Sequence, residues 1–391
     1  MDVPVVTEDK KEKEGEKKLN IQRITGEECE STRPLWEEVF REDSKEFLDY
    51  YYQYKAPGSI GYVEGEYPYK AMMFRNLYEL MVQKQKREIS YLVAVATRKE
   101  YRHQGLMTAL LMESFHQMYK EKNPFTFLMP ADPAIYEPFD FSYVYEREVW
   151  EISGQWADCL EGLWENPSEE EQKEKQEDLP RLRAASHEEP GCDLLKLWVK
   201  ESGCDLLSVR KKIEEGKVHT LWEEIIVFSH QWLSKRYEVY AYRSRDYYER
   251  QIKELLSQNG DIFVAKKEGR IEGIFLYARE GDEISIQEVM ESTEGLFSFF
   301  TKQEKTKPII MARIIHLEEM LKLVRCSERK SILMEVEDPL IPQNEGVYRV
   351  EMTPRGSSVV KLEEPREAEE YWHIKELAPK LLRKVFLNEI V

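Results

Sequence analysis

The residues Arg102-His103-Gln104-Gly105-Leu106-Met107 have the types and spacing of an anion-binding turn. A glycine at position 105 permits backbone conformations and close approaches that other residues resist. The first N–H groups of a helix beginning just after it would point at one place beside the positive helix end, which suits a pyrophosphate group. The R-x-x-G pattern is short, and an ordinary tight turn between a strand and a helix can have the same residues. On these residues alone both interpretations stay open.

The elements predicted around this turn favour the binding site. Residues 90–97, SYLVAVAT, are β-branched and aromatic and predict a strand. After the turn, apolar residues recur with helical spacing at Leu106, Leu110, Leu111, Phe115 and Met118. Residues 124–129, PFTFLM, predict a second strand. The turn therefore lies between a strand and a helix, with a further strand behind them.

The composition excludes several classes of protein. The chain has 391 residues, 41% of them apolar, which is enough for two to three domains with hydrophobic cores. Its 57 Lys and Arg against 75 Asp and Glu give a net charge of −18, which argues against nucleic acid and membranes as partners. The apolar runs fall far short of the ~20 residues of a membrane helix, and the N-terminus lacks the apolar region of a signal peptide, so we expect a cytoplasmic protein.

Several kinds of catalytic and metal site are not supported by the sequence. The five cysteines lack a C-x-x-C spacing and the seven histidines lack an H-x-x-x-H pair, so we expect no metal site. The G-x-S-x-G and G-x-x-x-x-G-K-[ST] motifs are also missing, which disfavours hydrolases and P-loop proteins.

Changes in composition divide the chain into four parts. Residues 1–18 include KKEKEGEKK and are too polar to form a core, so we expect a disordered arm. A charge-dense stretch at 168–178 suits an exposed linker or a solvated helix. The pattern changes again at Thr306. The sequence thus predicts units at 19–150, 151–305 and 306–391, the last with three strand-like segments and a closing helix from about Tyr371 to Leu387.

The segments VAVATRKEYRHQGLMTALL and FLMPADPAIYEPFDFSYV resemble the acetyl-CoA-binding core of GNAT N-acetyltransferases, in particular the Eis-type (enhanced intracellular survival) branch. PLWEEVFREDSKEFLDYYY, MARIIHLEEML and FLNEIV look like this branch too. The resemblance implies an α+β fold with two tandem GNAT-like mixed-sheet domains and a C-terminal sterol-carrier-protein-like α/β domain. Two residues depart from the pattern: Met107, where a small residue is usual, and Asp140, where the tyrosine-containing turn usually has a glycine.

The resemblance also implies acetyl-CoA as the co-substrate and assigns its binding residues. The strand that ends at Thr97 would be splayed from its neighbour, so that its backbone groups pair with the pantetheine arm. The turn would bind the pyrophosphate mainly through N–H groups, with Arg102 adding positive charge. The expected cofactor-binding residues are Val95, Ala96, Thr97, Arg102, His103, Gln104, Gly105, Leu106 and Met107.

Two further residues receive catalytic roles from the resemblance. Acetyl transfer by direct attack of an amine needs a proton removed from the ammonium and a proton delivered to the CoA thiolate. Tyr136 would be the general acid, since a phenol with a pKa of about 10 is protonated at neutral pH; a structural tyrosine is the alternative. The α-carboxylate of Val391 would be the general base, and the apolar residues Phe386, Leu387 and Ile390 favour a docked segment over a frayed terminus.

The acceptor side is less marked in the sequence. In GNAT enzymes the early helical region borders the acceptor pocket, and here it contains Trp36 and Glu37, which suit a cationic amine. An ordinary amphipathic helix with a solvated acidic face has the same residues.

The strand pattern at 261–290 resembles the start of a second GNAT core, but no R-x-x-G turn follows it. We therefore expect a non-catalytic copy that shapes the acceptor cavity.

The sequence is compatible with two functions of different classes. The first is an acetyl-CoA-dependent N-acetyltransferase for an amine such as an aminoglycoside-like polyamine or a lysine side chain. The second is a non-enzymatic protein that binds CoA in the first domain or an apolar ligand in the sterol-carrier-like domain. Relatives in the Eis-type branch are often hexamers, so the resemblance also implies a homohexamer.

Overall fold

The computed structural model describes residues 19–162, 190–280, 283–363 and 367–388. The predicted arm at 1–18 and the charge-dense stretch at 168–178 lie outside these residues. The strands are β1 (Ile21–Thr25), β2 (Ile60–Glu64), β3 (Ala71–Val82), β4 (Gln85–Thr97), β5 (Phe125–Leu128), β6 (Ser142–Ile152), β7 (Asp205–Ser208), β8 (Val239–Ala241), β9 (Asp261–Lys267), β10 (Arg270–Glu280), β11 (Glu283–Glu291), β12 (Phe300–Ile314), β13 (Lys330–Glu337), β14 (Gly346–Thr353), β15 (Gly356–Lys361), β16 (Glu370–His373) and β17 (Val385–Phe386). The helices are α1 (Arg33–Val39), α2 (Lys45–Tyr50), α3 (Leu106–Lys120), α4 (Gly154–Gly162), α5 (Pro190–Ser202), α6 (Val209–Glu214), α7 (His219–Arg236), α8 (Arg245–Ser257), α9 (Leu317–Leu323) and α10 (Ile374–Leu381).

The first sheet is mixed and has the order β1-β2-β3-β4-β5-β12-β6. Along this order, neighbouring strands are antiparallel except β4 and β5, which run parallel. Parallel neighbours need a long crossover, and α3 supplies it by carrying the chain back before β5 begins. β8 and β17 extend the sheet beside the end of β3.

β12 joins this sheet from far along the chain. Residues 311–314 of β12 pair with β5, and most of the strand runs beside β6. The strand spans the predicted boundary between residues 305 and 306 and contributes to the first sheet. The division of the chain into independently folding domains at the predicted positions stays a prediction.

α3 packs on one face of the first sheet. Its five predicted core residues, Leu106, Leu110, Leu111, Phe115 and Met118, are all buried, which confirms the helical spacing. Burying each such side chain contributes about 1.5–3 kcal/mol, so the helix is firmly attached to the sheet. The other face is covered by α1 and α2 near the start of β3 and by α7 and α8 near its end.

The second sheet has the order β11-β10-β9-β7. β9, β10 and β11 are the three strands predicted between residues 261 and 290, which confirms that pattern. Aromatic residues dominate the core beneath them, among them Trp198, Phe263, Phe275 and Phe300. Across the described ranges, including α7 of this unit, no helix combines the length and the apolar character needed to cross a membrane.

The third sheet has the order β15-β14-β13-β16, and β13 to β15 are the three predicted strand-like segments. The predicted closing helix is wrong in its extent, because α10 covers only residues 374–381 and β16 precedes it. Pro379 lies inside α10 and cannot donate to the Lys375 carbonyl oxygen, which accepts from the Ser142 hydroxyl at 3.0 Å instead. Val385 and Phe386 instead pair with β8 as β17, where their β-branched and aromatic side chains are buried.

Candidate active site

β4 and β5 are paired at one end only. Ser90 pairs with Thr126 and Tyr91 with Phe127, and the pairing stops there although β4 continues for several residues. On its other edge β4 stays paired with β3 as far as Thr97. Residues 92–97, which include the predicted cofactor residues at 95–97, thus have no strand partner on the β5 side among the described strands. Such an edge can pair with an extended ligand as an added strand would.

A β-bulge at Ala94 accounts for this splay. Met72 of β3 lies opposite Ala96 and Phe74 lies opposite Val93, so β4 has an extra residue between them. Ala94 takes a positive φ of 52° to accommodate it. A bulge bends its strand and increases the local twist, and this one follows directly after the last pair with β5. The bend carries the rest of β4 away from its neighbour.

The predicted anion-binding turn lies at the N-terminus of α3, just beyond the splayed edge. Gly105 is the N-cap residue with a φ of 75°, and no side chain in the described chain caps this helix. The first N–H groups of a helix have no partner within it, so those of α3 are available to an anion. Residues 102–105 are exposed, and the Arg102 Nε donates to the Thr97 carbonyl oxygen at 3.2 Å. The guanidinium therefore connects the turn with the end of β4.

Tyr136 lies in the turn between β5 and β6 and is half-buried. Its ring packs edge-on against Phe141, with the ring centroids 5.9 Å apart. Burial raises the pKa of Tyr136 to about 12. Val95 and Met107 pack against the same core cluster as Tyr136, beneath α3. The structure thus brings a residue of the splayed strand, a residue of the anion-binding turn and the predicted acid around one cluster.

Asp140 adopts the backbone conformation that a glycine would have in this turn. Its φ is 61° and its ψ is 25°, in the left-handed region that aspartate tolerates better than most residues. One carboxylate oxygen lies 3.8 Å from Arg313 Nη2 and the other 3.8 Å from His373 Nδ1. Burial raises the pKa of Asp140, and the positive charge of Arg313 opposes that shift. The departure from the family pattern therefore keeps the turn and adds contacts to β12 and the third unit.

Val391, the predicted general base, lies outside the described residues. The chain just before it docks between the first and second units, because β17 is buried and the Tyr145 hydroxyl donates to the Asn388 Oδ1 at 3.1 Å. A cavity of about 230 Å³ lies between β6, β11 and this segment. Its walls include the side chains of Glu148 and Trp150 from β6.

The two predicted acceptor residues have different surroundings. Trp36 is 2% exposed, packs against Tyr51 with the rings tilted by 53° and their centroids 4.5 Å apart, and donates its indole N–H to Asp43 Oδ2 at 2.7 Å. Glu37 is exposed and accepts from Arg33 Nε at 2.9 Å. These contacts fit the amphipathic-helix interpretation, and a substrate role for either residue stays a prediction.

The second unit lacks the helix that follows β4 in the first. After β11 the chain turns through residues 292–299 and enters β12 without an intervening helix. No helix N-terminus is therefore present after the third strand of that sheet in the described structure. This geometry agrees with the missing R-x-x-G turn and gives the second unit no equivalent anion-binding site there.

Sequence reasoning missed Arg313, which contacts the Tyr136 turn, and the residue that pairs with it. Arg313 is fully buried within the apolar run IIMARII, and a lone arginine in such a run is itself a signal, since a buried charge needs a partner. Its partner, Asp338, follows β13 and has no mark in the sequence. Only the packing of the third sheet against the first brings the two together.

Comparisons with known proteins agree with this geometry. Residues 20–144 match the family model of the acetyltransferase (GNAT) domain. A search of the curated proteins found no match. Among solved structures, the fold is similar to a conserved protein of Enterococcus faecalis V583 described as a probable N-acyltransferase, with 14% identity, 93% of this chain and 89% of that chain covered, and a TM-score of 0.66.

Two further structures share the fold over nearly the whole chain. A GCN5-related N-acetyltransferase from Anabaena variabilis has 13% identity, 92% and 89% coverage of the two chains, and a TM-score of 0.63. Eis1 from Mycobacterium abscessus has 9% identity, 93% and 89% coverage, and a TM-score of 0.59. The matched part of the chain is thus a GNAT acetyltransferase domain, and the protein is an enzyme of the N-acetyltransferase class. The overall arrangement of its units is similar to that of Eis1.

Proposed function

We propose that this protein is an acetyl-CoA-dependent N-acetyltransferase that acetylates an amine by direct attack. The observation that carries the proposal is the splay of β4 from β5 beside the uncapped N-terminus of α3. An extended thiol arm and a pyrophosphate need just these two features, a free strand edge and a cluster of N–H groups.

Acetyl-CoA would bind along this edge. Its pantetheine would pair with backbone groups of Val95, Ala96 and Thr97, and its pyrophosphate would lie at residues 102–107. Arg102 adds a hydrogen bond to the phosphates. Because both groups are charged, this hydrogen bond is stronger than one between neutral groups. His103 and Gln104 are exposed beside the same group, and the Gln104 amide, which donates to the Glu100 carbonyl oxygen at 3.2 Å, would exchange that bond for the phosphate.

The proposed reaction needs one acid and one base. The amine nitrogen forms a bond to the thioester carbonyl carbon, and the C–S bond breaks as the electron pair goes to sulfur. Tyr136 gives its phenolic proton to the CoA thiolate and regains one from water. The α-carboxylate of Val391 takes the proton that the attacking nitrogen loses. Burial favours the neutral phenol of Tyr136, so the acid is in its active form at neutral pH.

The docked segment before Val391 supports the role of the base. Val385, Phe386 and Leu387 are buried, and Asn388 is bonded to Tyr145 on the first sheet. A free α-carboxyl has a pKa of about 3.3–3.7, which is low for a base, and partial burial would raise it.

We also propose that the acceptor is a cationic amine, with Trp36 and Glu37 as the predicted acceptor residues. A second place for a cationic group is the cavity of about 230 Å³ between β6 and β11, which Trp36 and Glu37 do not line and whose walls include Glu146, Trp150 and also Arg147. The second unit would shape this cavity without binding CoA. We propose an Eis-type arrangement of the three units, in which the third unit is sterol-carrier-like. We also propose that the protein is a homohexamer. Light scattering of the purified protein tests the hexamer.

The test is acetyl transfer by the purified full chain. CoA thiol release is followed with acetyl-CoA and a panel of polyamines, aminoglycosides and lysine peptides, and mass spectrometry identifies the acetylated product. We expect release that depends on the amine. Acetyl-CoA binding without release for any amine would favour the non-enzymatic alternative. The third unit gives that alternative little support, since the apolar faces of Met334, Tyr348 and Val350 already pack with α9 and α10 in the main core.

A further inference from the structure

Arg313 on β12 is fully buried, with an exposed fraction of 0%. Burying a guanidinium costs several kcal/mol unless it is paired and hydrogen-bonded, so its partners define its role. All three nitrogens donate: Nε to the Phe139 carbonyl oxygen at 2.9 Å, Nη1 to the Ile314 carbonyl oxygen at 2.6 Å, and Nη2 to Asp338 Oδ1 at 2.6 Å. The guanidinium also lies 5.0 Å from the ring centre of Phe115 on α3.

Asp338 fixes the guanidinium from the third unit. Its carboxylate is also 0% exposed, and its Oδ1 accepts a second hydrogen bond from the Ile341 N–H at 3.0 Å. Its Oδ2 accepts from the Asn344 Nδ2 at 2.8 Å. Asn344 is in turn held by the Ile315 carbonyl and the Leu317 N–H. The loop after β13 therefore sets the position of the Arg313 side chain.

The other end of the guanidinium holds the turn that contains Tyr136. Phe139, whose carbonyl accepts from Arg313, donates its N–H to the Tyr136 carbonyl oxygen at 3.0 Å. The next residue, Asp140, lies 3.8 Å from the same guanidinium and has the left-handed conformation that closes the turn. Phe141 follows, fully buried, against the Tyr136 ring. The place of that ring thus depends on the backbone that Arg313 binds.

We propose that Arg313, held by Asp338, is a positioning residue that fixes the Tyr136 turn for protonation of the departing thiolate. The inference rests on the proposed role of Tyr136 as general acid. Arg313 reaches the reaction only through the turn, so its loss should lower kcat while the affinities for acetyl-CoA and the amine stay unchanged.

The test combines two substitutions. Arg313→Lys keeps the charge beside Asp338 and loses the fork that also binds Phe139, so the chain should fold. We expect kcat to fall at least tenfold, with both KM values within twofold of the wild type. In a Tyr136→Phe background the same substitution should change kcat less than twofold, because the residue it positions is already gone. Its effect on the thermal midpoint should be the same in both backgrounds.

Arg75→Lys is the matched control. Arg75 is 1% exposed, lies on β3, pairs with Glu121 at 2.6 Å and donates to the Ser90 hydroxyl of β4 at 2.9 Å, and none of these partners belongs to the Tyr136 turn. The Arg75→Lys substitution should lower the thermal midpoint and leave kcat within twofold of the wild-type value. The inference is overturned if Arg75→Lys lowers kcat as much as Arg313→Lys does. It is also overturned if Arg313→Lys lowers kcat equally in the wild type and in the Tyr136→Phe background. Either result means that kcat falls through a general loss of stability.

A spectroscopic readout separates this inference from the proposed function. The protein is labelled with 3-fluorotyrosine, and the ¹⁹F resonance of Tyr136 is assigned by its absence in Tyr136→Phe. Arg313→Lys should shift or broaden this resonance, and Arg75→Lys should not. If Tyr136→Phe leaves kcat unchanged, the proposed acid is wrong, and the resonance alone decides whether Arg313 holds the turn. A resonance unmoved by Arg313→Lys overturns the inference.

Discussion

Tyr145 on β6 donates its hydroxyl to Asn388 Oδ1 at 3.1 Å, across 243 residues of sequence. The bond attaches the segment before Val391 to the first sheet. It lies at the cavity between the first and second units, which both residues help to line. The chain near Val391 is thus anchored to the unit that contains the GNAT domain, a requirement for the proposed base.

Removing residues 389–391 should lower kcat by about 10²–10⁴-fold, the usual contribution of a general base. The Kd for acetyl-CoA should stay within twofold, since the splayed edge and the α3 turn are untouched. Steady-state kinetics and calorimetry measure the two quantities. Tyr145→Phe is the milder comparison, because losing one hydrogen bond of about 0.5–1.5 kcal/mol should cost about tenfold or less. Unchanged turnover in the truncated protein would remove Val391 as the base.

Tyr136→Phe should lower kcat by about 10²–10⁴-fold without weakening acetyl-CoA binding, because only the proton donor is lost. The phenyl ring keeps its contact with Phe141, so the thermal midpoint should change little. Tyr143→Phe, on the adjacent strand, is the control for removing a phenol near this turn. A loss of acetyl-CoA affinity equal to the loss of kcat would assign Tyr136 to binding and not to proton transfer.

The raised pKa of Tyr136 predicts a flat alkaline limb in the pH–rate profile. A phenol with the usual pKa of about 10 is half ionised at that pH, and the ionised form cannot donate a proton. Burial raises the pKa of Tyr136 to about 12, so kcat should stay constant as the pH rises to 10. The measurement uses an acceptor amine of low pKa, which stays unprotonated throughout. A fall in kcat centred near pH 10 that disappears in Tyr136→Phe would contradict the burial argument.

Arg102→Ala should raise the Kd for acetyl-CoA by about tenfold at low salt, as expected for one exposed charge-assisted hydrogen bond to a phosphate. The effect should shrink at 1 M salt, where charges are screened within about 3 Å. Lys99→Ala removes the same charge just before the turn and should change the Kd less than twofold. Equal effects of the two substitutions would indicate general attraction by positive charge and not a phosphate contact at the turn.

Trp36→Phe should lower the free energy of unfolding by about 1–3 kcal/mol, because the half-buried Asp43 carboxylate loses its indole donor. Burial already raises the pKa of Asp43, and the Trp36 hydrogen bond opposes that shift, so the substitution should raise the pKa further. Urea denaturation measures the stability. Glu37→Gln, which removes an exposed pair with Arg33, should cost less than about 1 kcal/mol. A raised amine KM at unchanged stability would instead support the predicted acceptor contact of Trp36.

The core of the site could be predicted from sequence because its signals are local. The β-branched run before Thr97, the glycine at 105 and the helical spacing from Leu106 to Met118 each depend on neighbours within a few residues. β4, the turn and α3 accordingly form where these patterns indicate. The same holds for the three strands between residues 261 and 290.

Other features depended on partners far away in the chain and only the tertiary structure decided them. The sequence near Tyr371 predicts one closing helix, yet Val385 and Phe386 become a strand because β8 offers a free edge to them. The carboxylates beside Arg313, Asp140 and Asp338, are distant from it in the chain, and its charge is balanced only when the loop after β13 brings Asp338 beside it. The sequence by itself determined the strand, turn and helix of the proposed acetyl-CoA site, whereas long-range packing decided what holds Tyr136 and anchors the segment before Val391, since no local pattern encodes a contact between distant elements.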